Sequence, residues 1–293
     1  MPETDLGASP EPDLDASLAR DPAASLARYY ALDLLEDPGD LALYEALARR
    51  SDGRILELGA GSGRLAVPLA VRGHAVTAVD LDPAMIGRAR YAWQRAMVEL
   101  GRSDGGLEGS AEGRSGASAG SLELVEADMR DLDLPGRFDL AILALNTLLL
   151  LGDRGSQQAA LATMARHLTP NGVAVVDVWL PSSGDLALYD GRLLMEWQRD
   201  DPETGERVAK CASARHDAAT ASVTLTQLFD AWPAEGGTLR RVSRTDTLRL
   251  VGADELVAMA DAAGLRVERL AGDHQMGGFG PGAERTVLLA RLV

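Results

Sequence analysis

Cysteine is all but missing from this 293-residue chain: Cys211 stands alone, so no intramolecular disulfide can form. No Cys and His set has the spacing of a zinc site, and no metal is expected. Lysine is equally scarce, Lys210 being its single instance, and positive charge rests on arginines placed singly or in pairs. With 29 basic against 44 acidic residues the formal charge is -15, a surface that repels polyanions unless a basic patch compensates. The scattered arginines form no such patch, which argues against nucleic acid as a partner. No apolar stretch approaches the roughly 20 residues that span a bilayer. The run 140–151 is broken by Asn146 and Thr147 and reads as a buried strand with its exit loop. Nor do the first residues combine a basic segment with an apolar one. The expectation is a cytoplasmic protein without membrane contact.

What the chain does have is core-forming material: 46% of its residues are hydrophobic, enough for one large domain with an insertion. Residues 1–22 are rich in Pro, Asp, Glu and Ala without helical or strand period and read as a flexible acidic segment. Helical stretches 23–35 and 39–50 follow, the second with Leu41, Tyr44, Leu47 and Ala48 on one face. The pattern then alternates: strand 54–58, helix 63–72, strand 75–80, helix 83–100, strands 122–126 and 138–144, helix 155–168, strand 172–178. Strands that are almost wholly apolar and alternate with helices indicate an α/β fold with a parallel sheet covered on both faces. The Gly/Ser-rich segment 101–121 has no hydrophobic period and reads as a flexible loop.

Between 190 and 250 the period shortens. Segments 192–199, 206–216, 221–231 and 238–250, separated by turn chemistry at 201–205 and 234–237, predict an antiparallel meander laid over the core sheet. Helix 253–263 and strands 265–271 and 285–292 close the chain, the last pair as an antiparallel ending. The expected organisation is therefore a core of 23–189 and 251–293 with an N-terminal helical cap, and an inserted antiparallel β-sheet of 190–250.

The segment Ile55-Leu56-Glu57-Leu58-Gly59-Ala60-Gly61-Ser62-Gly63-Arg64 runs from a buried strand through a glycine-rich turn into a helix, so backbone approaches a ligand where a Cβ would clash. Its spacing is G-x-G-x-G. A dinucleotide fingerprint needs its third glycine one residue later, where this chain has Arg64, and this disfavours a nicotinamide-dependent oxidoreductase. Glu57 just before the first glycine would repel a phosphate and attract a cation. Asp80 ends the next strand, where a carboxylate accepts both hydroxyls of a ribose. After the third strand, Asp128 and Met129 offer a polar group and an apolar surface to a purine. Asp82-Pro83 reads as a helix start.

Together, in this order, these residues resemble the class I S-adenosylmethionine-dependent methyltransferases over roughly residues 28–180, with a looser echo to the C-terminus. The resemblance implies a Rossmann-like, doubly wound, mostly parallel sheet with an antiparallel last strand and a small inserted antiparallel sheet that serves as a substrate lid. It implies S-adenosylmethionine as cofactor and a small-molecule methyl acceptor. Carried over residue by residue, it assigns the methionine part to Glu57, Gly59, Ala60, Gly61 and Gly63, the ribose to Asp80 with Leu81, and the adenine to Asp128 with Met129. Met85 joins this cofactor set. Ala144, Leu145 and Asn146 match positions beside the transferable methyl, and Tyr30 resembles an aromatic that covers the cofactor. The family's Asn-Pro-Pro-Tyr type motif is replaced here by Ala144-Leu145-Asn146-Thr147, which argues against DNA adenine or protein amide as acceptor.

A sulfonium makes its methyl electrophilic already, so positioning and water exclusion carry most of the catalysis. The catalytic candidates are His274, Asn146 and Tyr30, with His216 as an alternative base; either histidine also fits a plain loop or strand position. Trp179 suits substrate packing and core filling equally, and Asp177 suits both the cofactor edge and a polar strand end. The run 200–203 reads as a solvated turn. A non-catalytic nucleoside sensor and a homodimer through the insertion both stay open.

Overall fold

A computed structural model describes residues 22–35, 38–51, 53–104 and 119–293. The expected flexible segment 1–22 lies outside these apart from Pro22, and so does 105–118 of the expected loop 101–121. Helices α1 (Pro22–Asp33) and α2 (Leu41–Ala48) precede β1 (Ile55–Leu58), α3 (Ala66–Val71), β2 (Ala75–Asp80) and α4 (Pro83–Asp104). Then come β3 (Ser121–Glu126), β4 (Phe138–Leu143), α5 (Arg154–His167), β5 (Leu168–Trp179) and a short α6 (Ser183–Leu188). Strands β6 (Asp190–Asp200), β7 (Glu206–Asp217), β8 (Ser222–Pro233) and β9 (Arg240–Arg249) form the insertion. The chain returns through α7 (Ala253–Ala262), β10 (Leu265–Ala271) and β11 (Arg285–Leu292). Among the described residues no helix is long and apolar enough to cross a membrane.

Seven strands form one sheet in the order β3-β2-β1-β4-β5-β11-β10. The first five run parallel, while β11 pairs antiparallel with both β5 and β10. The order reverses between β1 and β4, and such a reversal opens a crevice beyond the carboxyl ends of the strands. All four β1 residues are buried, as a central strand covered on both faces requires. Alternation sends Leu56 and Leu58 to a core shared with residues of α5 and α7, and Ile55 to one shared with residues of α2 and α3. On β5 the same rule sends Val176 and Val178 one way and Val173 and Val175 the other, so Asp177 ends up on the α2 side, as does Glu57.

Sequence and structure differ at several boundaries. Helix α3 starts at Ala66 rather than 63, because Gly63 with φ +82° belongs to the turn before it. Strand β5 begins at Leu168, directly after α5, and its pairing with β4 shifts register between Phe138 and Leu140. Helix α6, which the pattern does not announce, is closed at its start by a capping box between Ser182 and Asp185.

The insertion is a separate four-stranded antiparallel sheet in the order β6-β7-β8-β9. Helix α1, expected to cap the core, contacts α4 of the core and also packs on this sheet: Tyr29 stacks on Phe229 with ring centroids 5.4 Å apart, and Leu32, Val208 and Ala231 complete the cluster. Such an aromatic pair contributes about 0.5–1.5 kcal/mol beyond its buried area. Asp33 accepts from Trp197 Nε1 (2.7 Å) and Lys210 Nζ (2.5 Å), and Arg28 pairs with Asp201 (2.9 Å). At the other end Arg249 ties the sheet to the core through Gln157 on α5 (2.9 Å) and Glu255 on α7 (2.7 Å).

Candidate active site

The glycine turn lies at the carboxyl edge of β1, where Gly59 and Ala60 N–H groups both donate to the Val79 carbonyl of β2 (2.8 and 3.0 Å). Gly59 has φ +69°, and a Cβ there would sit 2.3 Å from Thr147 Cγ2, so conformation and space both require glycine. The Gly61 N–H donates to Asp80 Oδ2 (2.8 Å) and the Asp82 N–H to Asp80 Oδ1 (2.9 Å). Asp80 thus fixes the turn while each of its oxygens keeps a lone pair for a further donor. Asp82 accepts from the Ala84 N–H (2.8 Å) and starts α4, as its sequence position anticipates.

Around this turn the structure gathers several of the residues named from sequence. A Cβ at Gly61 would lie 3.8 Å from the Tyr30 ring, and one at Gly59 3.2 Å from the Met129 methyl, so both side chains border the cradle. Ala60 and Ala144 are buried in one cluster and Met85 is buried on α4, whereas Leu81, next to Asp80, is 63% exposed. Asp128 is held by Arg130 (2.5 Å), whose guanidinium and N–H lower its pKa despite the opposing effect of burial.

Beneath the turn, α2 brings groups that the motif did not reveal. Asp40, fully buried, receives both terminal nitrogens of Arg64 (2.5 and 2.7 Å). Glu57 is buried with no hydrogen-bond partner on Oε2, and burial raises its pKa to about 8. The Tyr44 hydroxyl is likewise buried and unpartnered, and its pKa is raised by burial and by the nearby Asp177 and Asp40. Unsatisfied buried oxygens of this kind are costly alone and natural partners for a ligand's donors.

Asp177 is the hub of a second group. His274 Nε2 lies 3.0 Å from its Oδ2, and Arg285 Nε donates to its Oδ1 (2.7 Å). Burial would raise the Asp177 pKa, but these two bonds outweigh it and hold the carboxyl below its ordinary value. An ionised Asp177 can only accept, so His274 Nε2 donates to it, and the neutral form of this imidazole has its lone pair on Nδ1. The turn after β4 is fastened to the same residue. The Leu145 N–H donates to Asp177 Oδ2 (3.3 Å) and the Asn146 N–H to the Asp177 carbonyl (3.1 Å). Leu145 (φ +48°) and Asn146 (φ +69°) are consecutive non-glycine residues in the left-handed region, a strained arrangement that persists only when its surroundings impose it. Asn146 Oδ1 accepts from the Trp179 N–H (2.6 Å), so this side chain braces the turn.

Ligand atoms of Asp40, Asp177 and His274 lie within 4.8 Å of one another, a grouping that sequence spacing did not anticipate. Arg64 and Arg285 already balance its two carboxylates. His216, the other candidate base, sits on β7 opposite Val223 in the inserted sheet. The Trp179 ring meets Tyr189 at 6.0 Å and forms an aromatic corner where the core passes into the insertion. A cavity bordered by Leu47, Arg50, Ser51, Asp139, Asn171 and Arg291 lies at the amino-terminal edge of the sheet, away from these groups.

A family described as "Methyltransferase domain" matches residues 27–270. A cypemycin N-terminal methyltransferase of a Streptomyces species is 30% identical over 160 residues, 54% of this chain and 56% of that protein. A dTDP-3-amino-3,4,6-trideoxy-alpha-D-glucopyranose N,N-dimethyltransferase of Streptomyces venezuelae is 33% identical over 150 residues, 51% of this chain and 59% of that protein. The chain spans a little over half the length of these curated relatives. Among solved structures, an S-adenosylmethionine-bound amino pentose methyltransferase of Micromonospora echinaspora has a TM-score of 0.59 at 21% identity, covering 99% of this chain and 100% of the other. At that identity the likeness concerns the fold.

Proposed function

Because the chain belongs to the class I S-adenosylmethionine-dependent methyltransferase family, we propose that it methylates an amine nitrogen on a small molecule, with His274 taking up the acceptor's proton. The observation that carries this reading is the bond between His274 and Asp177, set at the carboxyl edge of β5 beside the strained turn at Leu145. The two curated relatives, an N-terminal methyltransferase and an amino-sugar N,N-dimethyltransferase, support the choice of an amine.

The residues present fit the cofactor. The cradle around Gly59 and Gly61 admits close approach, and the unpartnered Glu57 oxygen suits a cationic ligand. Glu57 with Gly59, Ala60, Gly61 and Gly63 would hold the methionine part, Asp80 with Leu81 the ribose, and Asp128 with Met129 the adenine. Met85, Ala144 and Leu145 would complete the wall, and Tyr30 would cover the turn. When bound, S-adenosylmethionine supplies an electrophilic methyl group on a sulfonium.

The chain's own work is then to orient and to move a proton. A protonated amine has no lone pair to attack with, so it must lose a proton first, and neutral His274 would accept it on Nδ1. Asp177 positions the imidazole and stabilises its charged form, while Asn146 braces the turn. The inserted sheet and α1 exclude water from above. Calorimetry with S-adenosylhomocysteine, followed by mass spectrometry of amino sugars and short peptides incubated with S-adenosylmethionine, tests the reading. Heat of binding and a methylated amine are expected. Tight binding without turnover would instead favour a nucleoside sensor, and absence of binding would remove the enzymatic reading.

A further inference from the structure

The inserted sheet turns one face towards the core, and its register defines that face. Trp197, Lys210, Phe229 and Val242 form a cross-strand row that meets α1 through Tyr29 and Asp33. The next row on the same face is Leu194, Ala212, Gln227 and Arg244, and the one after it contains Ala214, Leu225 and Asp246. The wall is therefore apolar towards β6 and polar towards β9.

Lys210 in the first row is paired with Asp33 and Glu196, and Arg244 is the cation of the second. Its Nε donates to both oxygens of Asp246 (2.9 and 2.7 Å), which fixes the guanidinium and leaves its terminal nitrogens uncommitted. Among the described residues, no hydrogen bond engages those terminal nitrogens or the side-chain amide of the neighbouring Gln227. Arg244 follows Val242 by two residues on the same face; Val242 packs on the cluster of Tyr29, and the adjacent Tyr30 borders Gly61, so this stretch of β9 faces the glycine turn across α1. A planar, prefixed fork of N–H donors is matched by the paired oxygens of a carboxylate or phosphoryl group. In a chain of net charge -15, such a group needs a local cation to enter at all.

We propose that Arg244, held by Asp246 and flanked by Gln227, forms a subsite for an oxyanion carried by the acceptor, while Leu194, Ala212 and Leu225 receive its carbon skeleton. The subsite rests on the methyl-transfer reading and deepens it: the acceptor is an amine that also bears a carboxylate or phosphoryl group.

Calorimetry on the protein loaded with S-adenosylhomocysteine tests this, with glucosamine, glucosamine 1-phosphate and glucosaminic acid as probes. At least one anionic amine is expected to bind about tenfold or more tightly than glucosamine, and the stronger of the two identifies the oxyanion. Arg244→Met should abolish that preference, Arg244→Lys should retain part of it, and both should bind S-adenosylhomocysteine as the parent protein does. Equal binding of all three probes, or binding of none, overturns the subsite. So does a loss of S-adenosylhomocysteine affinity in Arg244→Met, which would assign the arginine to the cofactor. Failure of the parent protein to bind S-adenosylhomocysteine overturns the methyl-transfer reading and the subsite together, and is recognised before any probe is added.

Discussion

His274 and Asp177, 97 positions apart in the chain, are joined by a 3.0 Å hydrogen bond at the carboxyl edge of the sheet. If His274 takes the acceptor's proton, His274→Ala should lower kcat about 10²–10³-fold near neutral pH. The deficit should shrink as pH rises, because the acceptor amine then arrives already deprotonated. Initial rates across a pH series check this, and a deficit of constant size at every pH would contradict the role.

Asp177→Asn keeps the shape of the hub but withdraws its charge from Arg285 and His274. A fall in kcat comparable to that of His274→Ala is expected, with little change in S-adenosylhomocysteine affinity. The Asp177 pKa lies below its ordinary value in the folded protein, so its contribution to stability is present above that value and is lost as pH falls through the folded pKa. Melting temperatures should therefore decline less steeply on acidification in the variant than in the parent.

Glu57 acts in the opposite sense. Burial raises its pKa from 4.5 to about 8, so the folded chain retains a proton that the unfolded chain releases, and the ligand-free protein loses stability as pH climbs through that interval. Glu57→Gln should flatten this part of the melting profile. A cationic ligand beside Glu57 favours the ionised carboxylate, so binding at neutral pH should release protons from the parent but not from the variant. Titration in two buffers of different ionisation enthalpy measures the difference.

Lys210, the chain's single lysine, is buried between Asp33 of α1 and Glu196 of β6. Lys210→Met preserves most of its volume but leaves Asp33 to Trp197 alone. Because both acidic partners are partly exposed, a loss of about 1–2 kcal/mol is expected, less than for a fully buried pair. Denaturant melts measure the loss, and limited proteolysis should cut the inserted sheet sooner in the variant.

The parts of the site legible in the sequence are those written in one short stretch of chain. Gly59, Gly61 and Asp80 announce themselves because a strand, a turn and the end of the next strand have local signatures of composition and period. Asp40, Tyr44, Arg64, Asp177 and Arg285 do not, because they meet only after the sheet has ordered β1, β4, β5 and β11 side by side and laid α2 across them. Asp177 is ambiguous in sequence for the same reason: a polar residue at a strand end becomes a hub only when partners such as His274 arrive from distant segments. The fold is legible further than the site, since apolar strands alternating with helices limit a parallel sheet to few arrangements. The partner of α1 is hidden because its contact depends on Tyr29 and Asp33 finding Phe229 and Lys210 roughly two hundred residues downstream.

Helix α1 faces two ways with adjacent residues, Tyr29 against the inserted sheet and Tyr30 against the glycine turn. Anyone exchanging this insertion for that of a relative, in order to accept a new amine, would have to transplant the helix with it. A chimaera made at the borders of 190–250 alone would pair a foreign sheet with the wrong aromatic face and misplace the cover over the cofactor, so the smallest interchangeable module is discontinuous in sequence.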